Sequence, residues 1–473
     1  MDTERKLAQY VSDTEYRDLP GEPVDVAKNV ILTVLGTTIA GARAEGCDAL
    51  VTQVKEWGGK KEATILMHGG KVPAHNAALV NSVMARALDF CDAMSPGIHI
   101  GSSSVPTALA MTELVGGCSG EEFLTALVLG TEIAARINAV SDYDGFDPTG
   151  VCSIFAATAV AGKILQLDAQ QMLHAMALGF NRAGGSFQSN IDGSLAVRVI
   201  QGFVSQGGVV CAQLAEKGIT GPKNFLDGIY GYFHLYAKDK YDPQRMVGDL
   251  GKRFESNQTI FKKYPSCGCT LASTDAILNL VDEKNLTAEN VAHIDIRVSP
   301  YAYKLAGHQF QIGDNPKVNA QFSIQYCVAS ALTRKGSRLN HFDESSVMEE
   351  KVLDLIRKIH VSPDPDLGHP DRQDASTHLS VRMKVATKEG AVYHEAVDLP
   401  RGNPRNPLAD EEHLERFRDC VNYADIPIPE SNVGKAVSLI TRLEKVEDVR
   451  PLISLLTPAK RARVLKGFSE NSR

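Results

Sequence analysis

The sequence predicts a mainly α-helical protein with an inserted α+β domain. From about residue 25 to 240, long stretches rich in Ala, Leu, Val and Met alternate with short glycine-containing turns, which is typical of packed helices. After about residue 263 apolar and polar residues alternate, as in half-buried strands. Helical spacing returns from Glu411 to about Leu465. We therefore expect a helical domain of residues 1–262 and 408–473 and an α+β domain of residues 263–407, within the usual size of a domain.

Local signals support these elements in chain order. Asp168 to Gln171 forms a capping box that begins a helix. In the inserted domain, Ile294, Ile296 and Val298 alternate with polar residues, and the same pattern runs from Leu379 to Val385 before a turn at 388–390. The proline-rich RGNPRNP at 401–407 then ends the inserted domain.

Composition indicates a soluble globular protein of the cytoplasm. Apolar residues make up 43% and charged residues 23% of the 473 residues, which is enough to bury a core without disulfides. The net charge of −7 argues against nucleic acid or an anionic membrane as a partner. Nine cysteines without regular spacing indicate reduced thiols, and the N-terminus lacks the features of a signal peptide. The CGC pair at 267–269 is interpreted as packing and the basic stretch 459–468 as solvated helix, so no metal site is predicted.

Several common catalytic classes have no support in the sequence. It contains no GxGxxG after a strand, no GxxxxGK[ST], no HExxH and no GxSxG. Dinucleotide-binding, nucleotide-binding, zinc-protease and serine-hydrolase functions are therefore not expected.

The stretch DFCDAMSPGIHIGSS, residues 89–103, carries the strongest candidate chemistry. His99 lies just before three serines, and Pro106 favours the first turn of a helix. This arrangement predicts a helix N-terminus where Ser102 and Ser103 bind an anion such as a carboxylate. In the alternative interpretation, the serines merely cap the helix and His99 bonds a backbone carbonyl.

Four further segments contain candidates that are ambiguous when taken singly. Asp147 precedes a proline and suits an ordinary turn. Arg198 follows Val197 and is either a surface residue or a carboxylate clamp. Lys262 lies near the proposed domain junction, and Tyr326 lies in an otherwise apolar helix, where a structural role is more common.

Taken in order, these segments resemble the MmgE/PrpD family over nearly the whole chain. The matching motifs are Leu88 to Asp92 followed by His99 to Ser102, Asp147 to Gly150, Phe261 to Leu271, Ser323 to Tyr326, and Gly402 to Leu408. The resemblance implies a homodimer of a helical domain with a smaller α+β lid, and a cofactor-free site between them for di- or tricarboxylates. Where the family's dehydratases and decarboxylases carry two histidines and a lysine, this chain has Asp147, Leu271 and Val197.

These departures favour a reaction without a leaving group. Elimination needs an acid on the departing atom, and Val197 and Leu271 cannot donate a proton. Removing and returning a proton α to a carboxylate needs only a base, an acid and stabilisation of the enolate. Asp147 would also suit a substrate that carries an ammonium group. Within the family, this combination most resembles iminodisuccinate epimerase, an isomerase.

The expected roles follow from that resemblance. His99, oriented by Asp89 or Asp92, is one acid/base group, and Tyr326 or Asp147 is the other. Arg198 and Lys262 bind the substrate carboxylates, and the predicted substrate-binding residues also include Ser102, Ser103 and Asp92. Two alternatives stay open: a hydro-lyase acting on a methylcitrate-like tricarboxylic acid, and a non-catalytic relative that binds a carboxylate.

Overall fold

A computed structural model describes residues 2–239, 241–368 and 379–458. Its N-terminal half is a bundle of helices that pack against one another, and it also contains two short strand pairs. The helices are α1 Asp2–Asp13, α2 Gly21–Gly41, α3 Cys47–Trp57, α4 Ala74–Arg86, α5 Gly101–Leu114, α6 Gly120–Asn138, α7 Pro148–Ile164, α8 Ala169–Phe180, α9 Gln188–Ile191, α10 Ala196–Glu216, α11 Tyr232–Tyr236 and α12 Pro243–Val247. The short strands are β1 Ala63–Thr64, β2 Lys71–Val72, β3 Asp92–Ala93 and β4 Ile260–Phe261.

The following segment combines helices with one four-stranded sheet. Its elements are α13 Gly268–Lys284, β5 Val291–Val298, α14 Pro300–Ala302, α15 Pro316–Gln321, α16 Ile324–Arg334, α17 Glu344–Val347, α18 Glu350–Ile356, β6 Ile359–Pro363, β7 Val381–Thr387 and β8 Val392–Val397. The strand order is β6-β5-β7-β8, with β5 and β6 parallel and the other pairs antiparallel. The chain then returns to helix in α19 Asp410–Tyr423, α20 Glu430–Thr441 and α21 Arg450–Leu455.

The predicted fold class, mainly α with a smaller α+β region, is confirmed. The alternating residues Ile294, Ile296 and Val298 point into the core from β5, and the capping box at Asp168 begins α8. The buried apolar residues form two clusters. The first cluster, the helical core, is drawn mainly from residues 7–261 and 408–456, and the second, the mixed core, from residues 267–385. The boundaries predicted at 262/263 and 407/408 stay predictions.

A short strand pair and a turn positioned by glycine bring the residues of the candidate site together. Strands β3 and β4 pair with Asp92 opposite Phe261, so the stretch that begins at residue 89 lies beside Lys262. The Phe261 N–H donates to the Gly402 carbonyl at 2.9 Å. Gly402 has a φ of +94°, and a Cβ there would lie 1.9 Å from the Phe261 carbonyl oxygen. Only glycine permits this approach, which explains the glycine in the late motif.

Helix α2 is long and apolar enough to cross a membrane by length and composition alone. However, 78% of its most apolar 18-residue window is buried within the protein. A central helix of a soluble protein has the same property, and the predicted cytoplasmic location stays a prediction.

Two local predictions differ from the structure. Helix α5 begins at Gly101, so the serines lie inside its first turn and do not cap it, and Pro106 is the helix's sixth residue. The C-terminal helical stretch is interrupted, since α19, α20 and α21 are separate short helices. The basic stretch 459–468 lies outside the described residues.

Candidate active site

His99 is held as a neutral imidazole by a backbone contact. Its Nδ1 lies 2.7 Å from the carbonyl oxygen of Asp92, and because a carbonyl only accepts, Nδ1 carries the proton. Burial, together with the positive charges of Arg86 and Lys262, holds the pKa of His99 well below its usual value of 6.5. Within the described part of the chain Nε2 makes no hydrogen bond. His99 therefore presents a free lone pair, as a general base requires.

The contact that orients His99 was only partly expected. The sequence predicted orientation by Asp89 or Asp92, which implies a carboxylate, whereas the structure uses the main-chain carbonyl of Asp92. The structure therefore confirms one part of the alternative interpretation, namely that His99 bonds a backbone carbonyl. A backbone partner fixes the ring without adding charge, which leaves the imidazole less basic than a carboxylate partner would.

Asp89 lies between two cations in the buried floor of the site. Its Oδ1 is 2.5 Å from Arg86 Nη1 and 2.9 Å from Lys262 Nζ, which also donates to the Asp89 carbonyl at 3.0 Å. Burial opposes ionisation of Asp89, but the positive charges of Lys262 and Arg86 outweigh it and lower the pKa to about 2. Asp89 is therefore ionised, and it holds Lys262 in place beside His99.

The carboxylate of Asp92 occupies the N-terminus of α5. Its Oδ2 accepts from the Gly101 N–H at 2.8 Å, and a Cβ at Gly101 would lie 2.5 Å from Oδ1. The place predicted for a substrate carboxylate is thus taken by a side chain of the protein. The Ser103 hydroxyl donates to the Ile100 carbonyl at 3.0 Å, whereas the fully buried Ser102 hydroxyl has no partner among the described residues. A substrate role for these serines and Asp92 stays a prediction.

Asp147 lies at the same corner as His99. It is the N-cap of α7, where its Oδ1 accepts from the Thr149 N–H at 2.8 Å, and the Thr149 hydroxyl accepts from the His99 N–H at 3.4 Å. Asn190 Nδ2 is 3.5 Å from the other carboxylate oxygen. Burial is the largest influence and raises the pKa of Asp147 above its usual value of 3.8, although Arg86 opposes it. This carboxyl group retains a proton to higher pH than an exposed aspartate.

Arg198 projects from α10 into a cavity of about 820 Å³. The side chain is buried, and burial lowers its pKa. Its Nη1 donates a long hydrogen bond of 3.4 Å to the carbonyl of Glu45. Leu88, next to Asp89, also lines this cavity, whereas His99 and Asp147 do not.

Tyr326 is placed elsewhere. It is fully buried in the mixed core, its hydroxyl donates to the carbonyl of His341, and its ring contacts Phe310 and Phe342. Burial raises the pKa of Tyr326 to about 12. No contact in the described residues joins Tyr326 to His99, and its catalytic role stays a prediction.

Sequence reasoning missed several residues that build the site. Arg86 is three residues before Asp89, a spacing that allows an ion pair on one turn and was available as a signal. Gln201 donates to the His99 carbonyl at 2.8 Å, Gln321 to the Leu88 carbonyl at 2.8 Å, and Arg416 to the Phe90 carbonyl at 3.0 Å. These three partners are far away in sequence, and no local pattern indicates them.

The cysteines near the site pack as expected. Cys267 and Cys269 are buried and hydrogen-bond each other, which lowers the pKa of Cys267. Among residues 2–239, 241–368 and 379–458, no three His, Cys, Asp or Glu side chains are grouped to hold a metal ion.

Comparisons with known proteins agree with this architecture. The model of the MmgE/PrpD N-terminal domain matches residues 5–244, and that of the MmgE/PrpD C-terminal domain matches residues 264–426. Cis-aconitate decarboxylase of Aspergillus terreus is 24% identical over 476 residues, covering 95% of each chain. The Homo sapiens cis-aconitate decarboxylase is 24% identical over 448 residues, covering 91% of this chain and 89% of its own.

A third relative matches about half of the chain. Alkylcitrate dehydratase phiI of Talaromyces stipitatus is 26% identical over 243 residues, covering 47% of this chain and 48% of its own. These names describe lyases, so they favour the hydro-lyase alternative over the predicted isomerase, and they give no support for iminodisuccinate specificity. With two domain models that together match most of its length, the chain belongs to the MmgE/PrpD family of enzymes.

Proposed function

We propose that this protein is a hydro-lyase that removes water from a tricarboxylic acid of the alkylcitrate type. The observation that carries the proposal is the neutral His99 with its free Nε2. Elimination begins with removal of a proton from the carbon α to a carboxylate, and this step needs a base within reach. The names of the relatives support a lyase acting on such acids.

The free base favours dehydration over decarboxylation. Loss of CO2 leaves electrons on carbon, and the resulting carbanion or enolate needs a proton donor. Dehydration instead needs a base at carbon and an acid at the departing hydroxyl group. A histidine that is kept neutral suits the first of these two tasks.

Asp147 is the proposed acid. The prediction of an isomerase rested on positions 197 and 271, where the apolar Val197 and Leu271 cannot donate a proton to a departing group. Asp147 offers a donor at a different position, because burial raises its pKa and a carboxyl group with a raised pKa is better suited to give a proton to a departing hydroxyl. Its position beside Thr149, which contacts His99, supports action on the same substrate.

Positive charge near the base assists the same step. Lys262 and Arg86 flank Asp89 beneath the site, and Arg198 faces the adjacent cavity. As the α proton leaves, negative charge develops on the carboxylate oxygens, and fixed cations stabilise it without reorganisation. We assign Arg198 to a substrate carboxylate and Lys262 to the enolate.

Epimerisation remains the second candidate because one observation favours it. Leu271, which is fully buried, and Val197, which is half-buried, both have apolar side chains. Neither side chain can donate a proton to a departing hydroxyl group. An epimerase would use the same proton abstraction and return the proton to the opposite face. The two reactions therefore differ in whether a group leaves.

A substrate panel distinguishes these candidates. The purified protein is incubated separately with 2-methylcitrate, cis-aconitate and iminodisuccinate, and the ultraviolet absorbance of an unsaturated acid is followed together with chiral chromatography. We expect a new unsaturated acid from 2-methylcitrate. Inverted iminodisuccinate without any unsaturated product would instead support the epimerase, and thermal stabilisation by all acids without turnover would support the non-catalytic relative.

The lowered pKa of His99 predicts how the activity depends on pH. Because its folded-state pKa is lowered, His99 stays unprotonated and active as pH falls past 6.5. The acid limb of the kcat/KM profile should therefore lie well below pH 6.5. An acid limb at or above pH 6.5 that disappears in His99→Asn would contradict the neutral-base assignment.

Three further properties stay predictions, two from the family resemblance and one, the location, from the cysteines and the N-terminal sequence. We propose a homodimer, a cytoplasmic location and a reaction without a cofactor. Exposed apolar side chains on α10, Phe203 at 55% and Leu214 at 41%, are consistent with a covered surface. Light scattering coupled to size exclusion would give twice the mass of the chain if the dimer forms.

A further inference from the structure

The 820 Å³ cavity is lined from both sides of the junction between the two parts of the chain. Arg198 reaches it from α10 of the helical bundle, and Lys317 reaches it from α15. We propose that Arg198 and Lys317 together bind a carboxylate of the substrate that does not react, and so select polycarboxylic acids. This inference rests on the proposed function for the identity of the ligand, and it adds Lys317 as a specificity residue.

Arg198 is a buried cation without a matching anion. Only 8% of its surface is exposed, and no carboxylate in the described residues lies within ion-pair distance of it. Burying a guanidinium group is costly unless it is paired. A single 3.4 Å bond to a carbonyl leaves most of its five donors available to a ligand.

Lys317 is held in position by the returning helix α19. Its Nζ donates to the Tyr423 hydroxyl at 2.7 Å, lies 4.9 Å from the centre of that ring, and is 3.5 Å from the Asp343 carboxylate. The Tyr423 hydroxyl donates in turn to Asp343. These two contacts fix the ammonium group and leave its third donor for a ligand, because an ammonium group has three donors.

Arg198 and Lys317 are close enough to disfavour each other's charge. Burial lowers the pKa of Lys317, and the positive charge of Arg198 lowers it further. Two cations that face one cavity repel each other until an anion lies between them. Binding a carboxylate there removes that repulsion and supplies Arg198 with its missing partner.

The carboxylates that also line the cavity do not cancel this site. Three of them already have partners. Asp343 pairs with Lys317 and Tyr423, the exposed Asp425 lies 3.6 Å from Arg43, and Asp419 accepts from the Leu339 N–H at 3.2 Å. Those of Glu45, Asp314 and Glu344 are exposed to solvent, where water screens them. The buried positive charge therefore decides which ligand the inner cavity accepts.

The position of the cavity suits a substrate that spans it and the His99 corner. Leu88 lines the cavity and is followed directly by Asp89, and the charges of Asp89 and Arg86 both act on Arg198. A tricarboxylic acid with one carboxylate beside Lys262 would place another toward Arg198 and Lys317. An acid with a single carboxylate cannot use both positions.

The test measures binding of tricarballylate, a tricarboxylic acid without a hydroxyl group to eliminate. Isothermal calorimetry compares the wild type with Lys317→Met, Arg198→Met and the charge-preserving Lys317→Arg. Loss of one charged hydrogen bond should weaken binding roughly 10- to 100-fold in each Met variant, while Lys317→Arg keeps most of the affinity. Lys351→Met, at an exposed lysine, is the matched control and should bind as the wild type does.

Because binding needs no turnover, this test is independent of the reaction. Wild-type affinity in either Met variant, or no binding to the wild type, would overturn the inference. Weakened binding in the Met variants of a protein that dehydrates no alkylcitrate would uphold the carboxylate site and reject the proposed reaction. If one Met variant fails to fold, the other still decides, because the two residues lie in different parts of the chain.

Discussion

Replacing His99 with Asn is expected to lower kcat by roughly 10²- to 10⁴-fold, the range for loss of a general base. The amide can still donate to the Asp92 carbonyl, as Nδ1 does, so the loop should keep its position. However, an amide offers no basic lone pair to the substrate. Steady-state kinetics on 2-methylcitrate, with circular dichroism as a check on folding, measures the effect.

The control for this variant is His360→Asn, at an exposed histidine on β6. It should retain wild-type kcat. If His99→Asn is as active as the wild type while remaining folded, His99 has no part in the chemistry, and the proposed mechanism fails with it.

Replacing Asp89 with Asn is expected to destabilise the protein by about 3–5 kcal/mol, the usual cost of removing one member of a buried ion pair. The change leaves Arg86 and Lys262 facing each other without the carboxylate that neutralises them. Urea unfolding followed by circular dichroism gives the free energy of unfolding. The exposed Asp282→Asn serves as control and should stay within about 0.5 kcal/mol of the wild type.

A second variant tests the physical reason for this loss. If repulsion between the two cations causes it, Asp89→Asn combined with Lys262→Met should recover part of the stability lost in Asp89→Asn alone. Additive losses in the double variant would indicate that the cations do not interact, contrary to the ion-pair geometry. Activity should stay low in both variants, because Lys262 would be misplaced or absent.

Much of the fold follows from local sequence patterns. The alternation at Ile294, Ile296 and Val298 predicted strand β5 correctly, because every second residue of a strand faces the same side of the sheet. The capping box at Asp168 gave a helix start because both of its hydrogen bonds are local. The start of α5 was predicted wrongly, since the capping partner of Gly101 is Asp92, nine residues earlier, and not a neighbouring serine.

The candidate site was only partly predictable. Asp89, His99, Asp147 and Lys262 were named from motifs, and the structure brings them to one corner. Lys317 and Arg416 were not named, because their partners lie 106 and 326 residues away along the chain. Tyr326 fits a motif, but the contacts of its hydroxyl are set by the mixed core, which no local pattern specifies.

The choice of reaction class depends on the burial of Asp147, which the sequence alone does not show. From the sequence, the apolar Val197 and Leu271 led to an isomerase, and Asp147 was interpreted as an acid/base group that would also suit a substrate with an ammonium group. Burial at the start of α7 raises the pKa of this carboxyl group, so it is also a candidate proton donor. A proton donor at Asp147 would reconcile the site with the lyase names of the relatives.

The central claim is that His99 removes a proton α to a carboxylate and that a hydroxyl group then leaves. Proton NMR of 2-methylcitrate with the wild type in D2O tests both parts at once. We predict signals of an unsaturated tricarboxylic acid that appear with the wild type and are lost with His99→Asn. Deuterium exchange or inversion without any unsaturated product would contradict the elimination, and unchanged spectra with every acid of the panel would contradict catalysis altogether.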